Sequence, residues 1–164
     1  MKKTTAQRNS EIANKLSNNL SRLLYEFYKD QDRRILQGLI EHGHPEIRPA
    51  HTALFSNLGM GAVRVTELAQ RANVTQQAMG KMLKELERLG YIARDIDAVD
   101  KRAKEIRVTE LGKQLAKDIV SVGSAVREYY NDKIGAQELT DLESRLRSAV
   151  DKLELDYLPE SWAG

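Results

Sequence analysis

The spacing of apolar residues changes period twice between positions 66 and 109, and that change limits the fold of this 164-residue chain more than any other feature. Leu68, Ala69 and Ala72 share one helical face over about eight residues, in a stretch that Thr66 can cap and that Glu67 favours in its first turn. A break at Asn73-Val74 follows. Thr75 can cap again, and Ala78, Met79, Met82, Leu83, Leu86 and Leu89 keep helical spacing until Gly90 stops them. Beyond Gly90 the runs become strand-like: Tyr91-Ile92-Ala93-Arg94 and Glu105-Ile106-Arg107-Val108-Thr109 flank the charged stretch 95–104, which predicts a two-stranded hairpin with a polar tip. Short helix, turn, longer helix and hairpin make the layout of a winged helix-turn-helix. In that layout the second helix enters the major groove, the first braces it, and the hairpin reaches an adjacent groove or phosphate strip.

The flanks are helical. Ile12, Leu16, Leu20, Leu23 and Phe27 recur at three- and four-residue steps, and Leu36, Leu39 and Ile40 follow, predicting one long amphipathic helix from about 10 to 42 that Gly43 and Pro45 end. Pro49 suits the first turn of a second helix carrying Ala53, Leu54, Phe55 and Leu58, before the breakers Gly59 and Gly61. Downstream, Thr109 and Glu110 start a helix with Leu111, Leu115, Ile119, Val122, Val126 and Tyr129 on its face. A last helix, about 136 to 156, uses Leu139, Leu142, Leu146, Val150 and Leu153. The expected fold is therefore mainly α with a small β-hairpin wing. Residues 46–110 form the winged helix-turn-helix core, with a recognition helix at about 75–89 and a wing at about 91–109. Residues 1–45 and 111–164 supply N- and C-terminal helices too long for a monomer of this size to bury, which makes them candidate dimerisation arms.

Composition excludes several classes. There is no cysteine, hence no disulfide framework, thiolate zinc site, iron–sulfur cluster or cysteine nucleophile. No Walker A or GxGxxG loop and no supported Ser/His/Asp set is present, so no enzymatic function and no cofactor are expected. No run approaches the ~18 apolar residues of a membrane span. The start, MKKTTAQRNSEIANKL, is basic but lacks the apolar core of a signal peptide, so no membrane association and a cytoplasmic location are expected. The net charge of +2 hides a gradient: residues 131–164 carry 8 acidic against 4 basic groups, so the rest of the chain is basic.

Off the apolar stripe, the second helix of the core shows Gln76, Gln77, Gly80, Lys81, Lys84 and Arg88. By itself this is an ordinary solvated face; beside a helix-turn-helix and a basic hairpin it becomes a base-reading one. Gln bonds bidentately to adenine, Lys reaches guanine O6/N7 or phosphate, and glycine at position 80 admits close approach of backbone to DNA. The hairpin tip holds Lys101, Arg102 and Lys104; Arg102 is suited to a narrow minor groove, and Asp97 and Asp100 can brace it.

The stretch VTELAQRANVTQQAMGKMLKELERLGYIARDIDAVDKRAKEIRVTELG resembles the DNA-binding core of the MarR family of bacterial transcriptional regulators. The matching features are the VTELA helix start, Thr75-Gln76-Gln77 opening the recognition helix, LERLGYI leading into the wing, and Asp97-x-x-Asp100-Lys101-Arg102-Ala103 before RVTELG. Ala98 stands where the family often has proline, and Gly80 where a small polar residue is common. The resemblance implies a homodimer on double-stranded DNA, with N- and C-terminal helices of both chains packed together and recognition helices about one DNA turn, ~34 Å, apart on a pseudo-palindrome. It implies a sequence-specific repressor, possessed of a small-molecule effector pocket near the junction of arm and DNA-binding lobe that His51 and Phe55 would line. The DNA-contacting set is then Thr75, Gln76, Gln77, Gly80, Lys81, Lys84, Lys101 and Arg102. Two other readings stand beside this one: a winged-helix module that binds protein, and a metal-responsive regulator using His42, His44 and His51, whose spacing is no strong ligand pattern.

Overall fold

A computed structural model describes residues 4–58, 63–96 and 104–155. Seven helices and three strands follow in order: α1 (Thr5–Ser17), α2 (Leu20–Glu41), α3 (Pro49–Leu58), β1 (Val63–Arg64), α4 (Val65–Arg71), α5 (Gln76–Arg88), β2 (Ile92–Ile96), β3 (Lys104–Val108), α6 (Glu110–Ile134) and α7 (Ala136–Lys152).

The single N-terminal helix expected over 10–42 is two helices. Asn19 divides them: its side-chain oxygen accepts from the Arg22 N–H at 3.0 Å and caps α2, while its amide nitrogen donates to the Lys15 and Leu16 carbonyls and caps the end of α1. One asparagine thus satisfies backbone groups on both sides of a joint that the apolar spacing runs straight across. The sheet also differs from the expected hairpin. It has three strands in the order β1-β3-β2, with Val63 opposite Ile106 and Ile92 opposite Val108, both pairings antiparallel. A two-residue strand has no periodicity to detect; β1 exists because β3 offers it a ladder edge. It runs directly into α4, so Thr66 sits inside the helix rather than capping it, and the N-cap Arg64 makes no side-chain capping bond. Glu67 does lie in the first turn, paired with Arg71 at 2.5 Å.

Thr75 and Thr109 cap as expected, accepting from the Ala78 and Gly112 N–H groups at 3.1 Å each. Gly90 takes φ +83, the left-handed conformation that ends a helix without a Cβ clash. One core holds the lobe together: Leu39 of α2, Leu54 and Leu58 of α3, Leu68 of α4, Met79, Leu83 and Leu86 of α5, Ile92 and Ile106 of the sheet, and Leu115 of α6 are all buried. Gly112 lets α6 lie against the wing base, since a Cβ there would run into the Tyr91 carbonyl and Val108. Along the arms the apolar stripe is incompletely covered. Every residue from 4 to 25 is exposed, and α1 buries none.

Candidate nucleic-acid interface

Helix α5 is held by its inner stripe, Met79, Leu83 and Leu86, at i, i+4 and i+7. Gln76, Gln77, Lys81 and Lys84 are exposed, and Gln77, Gly80, Lys81 and Lys84 follow the i, i+3, i+4, i+7 pattern of a single outer face. Around Gly80 a Cβ would meet nothing within 4 Å, so that turn faces open space.

The charges on α5 are sorted by partner. Glu85 lies 3.0 Å from Arg48 and 3.3 Å from His51, Glu87 lies 3.1 Å from Arg94, and Arg88 pairs with Glu46 at 3.1 Å. Both carboxylates of the helix are therefore compensated from within the lobe, whereas Lys81 and Lys84 have no ion-pair partner among the described residues. The outer face consequently presents uncompensated positive charge and amide groups to an incoming polyanion. Lys101 and Arg102, expected at the wing tip, lie outside the described residues, as do Asp97, Ala98 and Asp100.

Two buried networks fix this face and were not legible as motifs. In the first, His51 is 1% exposed on α3, its Nδ1 accepts from the Arg48 N–H at 3.3 Å, and its Nε2 faces Glu85. Burial lowers its pKa against the opposing pull of Glu85, which favours a neutral ring bridging α3 to the recognition helix. In the second, His44 contacts the Tyr91 hydroxyl through Nδ1 at 2.8 Å and Asp118 through Nε2 at 2.9 Å. With the Tyr91 O–H donating to Nδ1 and Nε2–H donating to the carboxylate, a neutral imidazole satisfies all three groups. Gln114 adds a donor to Asp118 at 3.0 Å. The chain ties the loop after α2, the start of β2 and the middle of α6 across sequence separations of 47 and 74 residues, for which no local pattern exists.

The histidines do not converge. His42 bonds the Gly38 carbonyl, and the other two serve separate networks; no group of metal-binding side chains forms among the described residues. The metal-responsive alternative thus loses its proposed ligand set. Phe55 is half-buried against the core, and a cavity of about 340 Å³ opens between α2 and α6, beside Arg34, Gln37, Gly38, Val122 and Tyr129.

A helix-turn-helix followed by a strand-built wing, with amides and unpaired lysines on the outer face of its second helix, has the layout of a winged helix-turn-helix. The sequence model described as the MarR family matches residues 47–103. Transcriptional regulator HosA of Escherichia coli O157:H7 is 23% identical over 99 residues, covering 60% of this chain and 73% of that protein. Among solved structures, a mutant MarR from Escherichia coli complexed with operator DNA is similar at TM-score 0.66 and 23% identity, over 79% of this chain and 92% of that one. CouR from Rhodococcus jostii bound to p-coumaroyl-CoA is similar at TM-score 0.62 and 21% identity, over 82% of this chain and 93% of that one. The MarR family match is confined to residues 47–103, and over most of the chain the likeness to these structures is one of fold, a winged helix-turn-helix between helical arms. Among the described residues no helix is long and apolar enough to cross a membrane.

Proposed function

We propose that the protein is a homodimeric repressor that binds pseudo-palindromic operators in duplex DNA, blocks promoter access, and is released by a small-molecule effector. The observation that carries this is the charge sorting on α5: carboxylates paired inward, Lys81 and Lys84 unpaired outward beside Gln76 and Gln77. In this proposal Thr75, Gln76 and Gln77 enter the major groove at the helix start, and Gln77 reads a base edge. Gly80 allows the backbone close to the DNA, Lys81 and Lys84 hold phosphates or guanine, and Lys101 and Arg102 serve the wing. Residues 1–45 and 111–164 form the dimer arms, consistent with the exposed apolar stripe of α1 and α2. Effector release draws on similarity: CouR is bound to p-coumaroyl-CoA in its structure. Of the two residues expected to line an effector pocket, His51 is already engaged by Glu85, which leaves Phe55 as the one with accessible surface.

Selection of bound fragments from genomic DNA, followed by titration at several salt concentrations, tests the proposal. A selected duplex should outcompete random duplex at moderate salt. Lys81→Ala and Lys84→Ala, as phosphate contacts, should each reduce the slope of log K against log[salt] by about one. Equal binding of selected and random duplexes, or no binding at any salt, would sink the repressor assignment and favour a protein partner.

A further inference from the structure

Helix α5 is held inward by Met79, Leu83 and Leu86, and such apolar contacts resist separation more than rotation, because burial is non-directional. The roll of the helix about its own axis is left to directional contacts. At about 100° per residue, Leu86 points directly away from Gln77, Glu85 projects about 80° to one side of Gln77, and Glu87 about 80° to the other. Each carboxylate is tethered to a different element. Glu85 meets the start of α3, with Arg48 at 3.0 Å and His51 at 3.3 Å, and Glu87 meets Arg94 of β2 at 3.1 Å. Around the helix, Gln77 lies midway between two opposed tethers.

On the α3 side the stiff member is His51. The Arg48 side chain is long and 66% exposed, and an ion pair of that kind holds geometry weakly. The His51 side chain is 2% exposed and engaged at both ring nitrogens. The Arg48 N–H donates to Nδ1 at 3.3 Å; a backbone N–H only donates, so Nε2 carries the ring proton and presents it to Glu85. In the same turn the His51 N–H donates to the Arg48 carbonyl at 2.9 Å. The imidazole thus stands where Glu or Gln closes a capping box, at the third residue of α3, and its far edge braces the recognition helix.

We infer that His51 is a positioning residue for base readout: acting through Glu85, against the counter-tether of Glu87 to Arg94, it sets the roll of α5 and so the base pair that Gln77 meets. The inference rests on the operator binding proposed above. A roll of about 10° carries a side-chain tip ~6 Å from the helix axis through about 1 Å, beyond the ~0.5 Å within which a binding constellation must be held. Lysine stems at positions 81 and 84 follow a phosphate through such a shift, whereas a bidentate base contact does not. Loss of the brace therefore costs discrimination between duplexes rather than affinity for DNA as such.

The test titrates the full chain and its variants with a duplex selected from genomic DNA and with random duplex at one salt concentration. The ratio of the two dissociation constants is read beside the thermal melt. His51→Leu should lower that ratio at least about tenfold, the order of one mismatched base pair, while random-duplex binding stays within about twofold. His51→Gln should restore it, because the amide oxygen accepts from the Arg48 N–H and the amide nitrogen donates to Glu85. Glu85→Ala cuts the tether from the other side, at a partly exposed position and with the best helix former, so the fold is kept. Having lost a negative charge, that variant should bind random duplex at least as tightly and still show the reduced ratio. Adding His51→Leu to Gln77→Ala should lower the ratio no further than Gln77→Ala alone. Equal binding of both duplexes by the unsubstituted protein overturns operator binding and this inference together. If the unsubstituted protein is selective, an undiminished ratio in His51→Leu and Glu85→Ala overturns the positioning role and leaves operator binding standing. So does a loss in His51→Gln as large as in His51→Leu, or full additivity with Gln77→Ala.

Discussion

At the scale of single residues, His44 shows how a side chain without motif value becomes structural. Removing it leaves the buried Asp118 carboxylate with the Gln114 amide alone and takes the acceptor from the Tyr91 hydroxyl. His44→Ala should cost about 2–3 kcal/mol in denaturant unfolding, in the range for orphaned buried polar groups next to a charge. Its partner Asp118 has its pKa held below the ordinary 3.8, chiefly by the hydrogen bond to His44 and against the opposing effect of burial. A depressed carboxylate contributes stability that is present above its unfolded pKa and is lost as pH falls through the folded one. The stability advantage of the native protein over Asp118→Asn, which keeps an acceptor for His44, should therefore shrink as pH drops below about 4. A pH-independent difference would mean that the carboxylate's charge contributes nothing. On the outer face of α5, Gln77→Ala should relax preference at one or two base pairs, costing on the order of 1–3 kcal/mol if the bond is bidentate. Unchanged preference in a binding-site selection would move the readout to another residue.

At the scale of elements, the joints are set by capping and close approach. Gly112 is where α6 meets the wing base, and Gly112→Ala forces a methyl against the Tyr91 carbonyl. The substitution should destabilise by about 1–3 kcal/mol, the usual range for overpacking, despite alanine's better helix propensity. A rise in melting temperature instead would show that the wing yields freely. Much of the element order was visible in sequence: the helix-turn-helix over 66–89, the Gly90 stop and the switch to strands all follow from side-chain periodicity and breakers. The misses share one cause. The α1–α2 joint and β1 are decided by who caps or pairs with a residue, whereas apolar spacing continues unbroken through Asn19 and two residues are too few to show any period.

At the scale of the whole molecule, the unpartnered surfaces are what the proposed dimer would cover. The lobe closes its own core, but the arms leave Ile12, Leu16, Leu20 and Leu23 at 57%, 71%, 70% and 60% exposure, a continuous stripe that suits a second chain. In the proposed two-fold dimer the spacing of the two lobes sets operator geometry. Inserting five base pairs between the half-sites of a selected operator rotates one by about half a turn and should reduce binding at least about a hundredfold, given specific-to-nonspecific ratios of 10³ or more. Retention of full affinity would show that each lobe binds independently.

What the sequence determined by itself is the local grammar: which stretches are helical, where they stop, and that a polar, lysine-bearing face lies opposite the apolar stripe of the recognition helix. Those properties depend on residues three or four apart, and a linear pattern records them. Tertiary structure alone decided which charges remain free on that face, because Glu85 is paired with Arg48 and Glu87 with Arg94, both from other elements. It likewise decided that three neighbouring histidines never meet, since each is drawn to a different partner: a backbone carbonyl, a tyrosine with a carboxylate, and the recognition helix. Pairings across tens of residues depend on how the elements pack, and spacing along the chain carries no record of that.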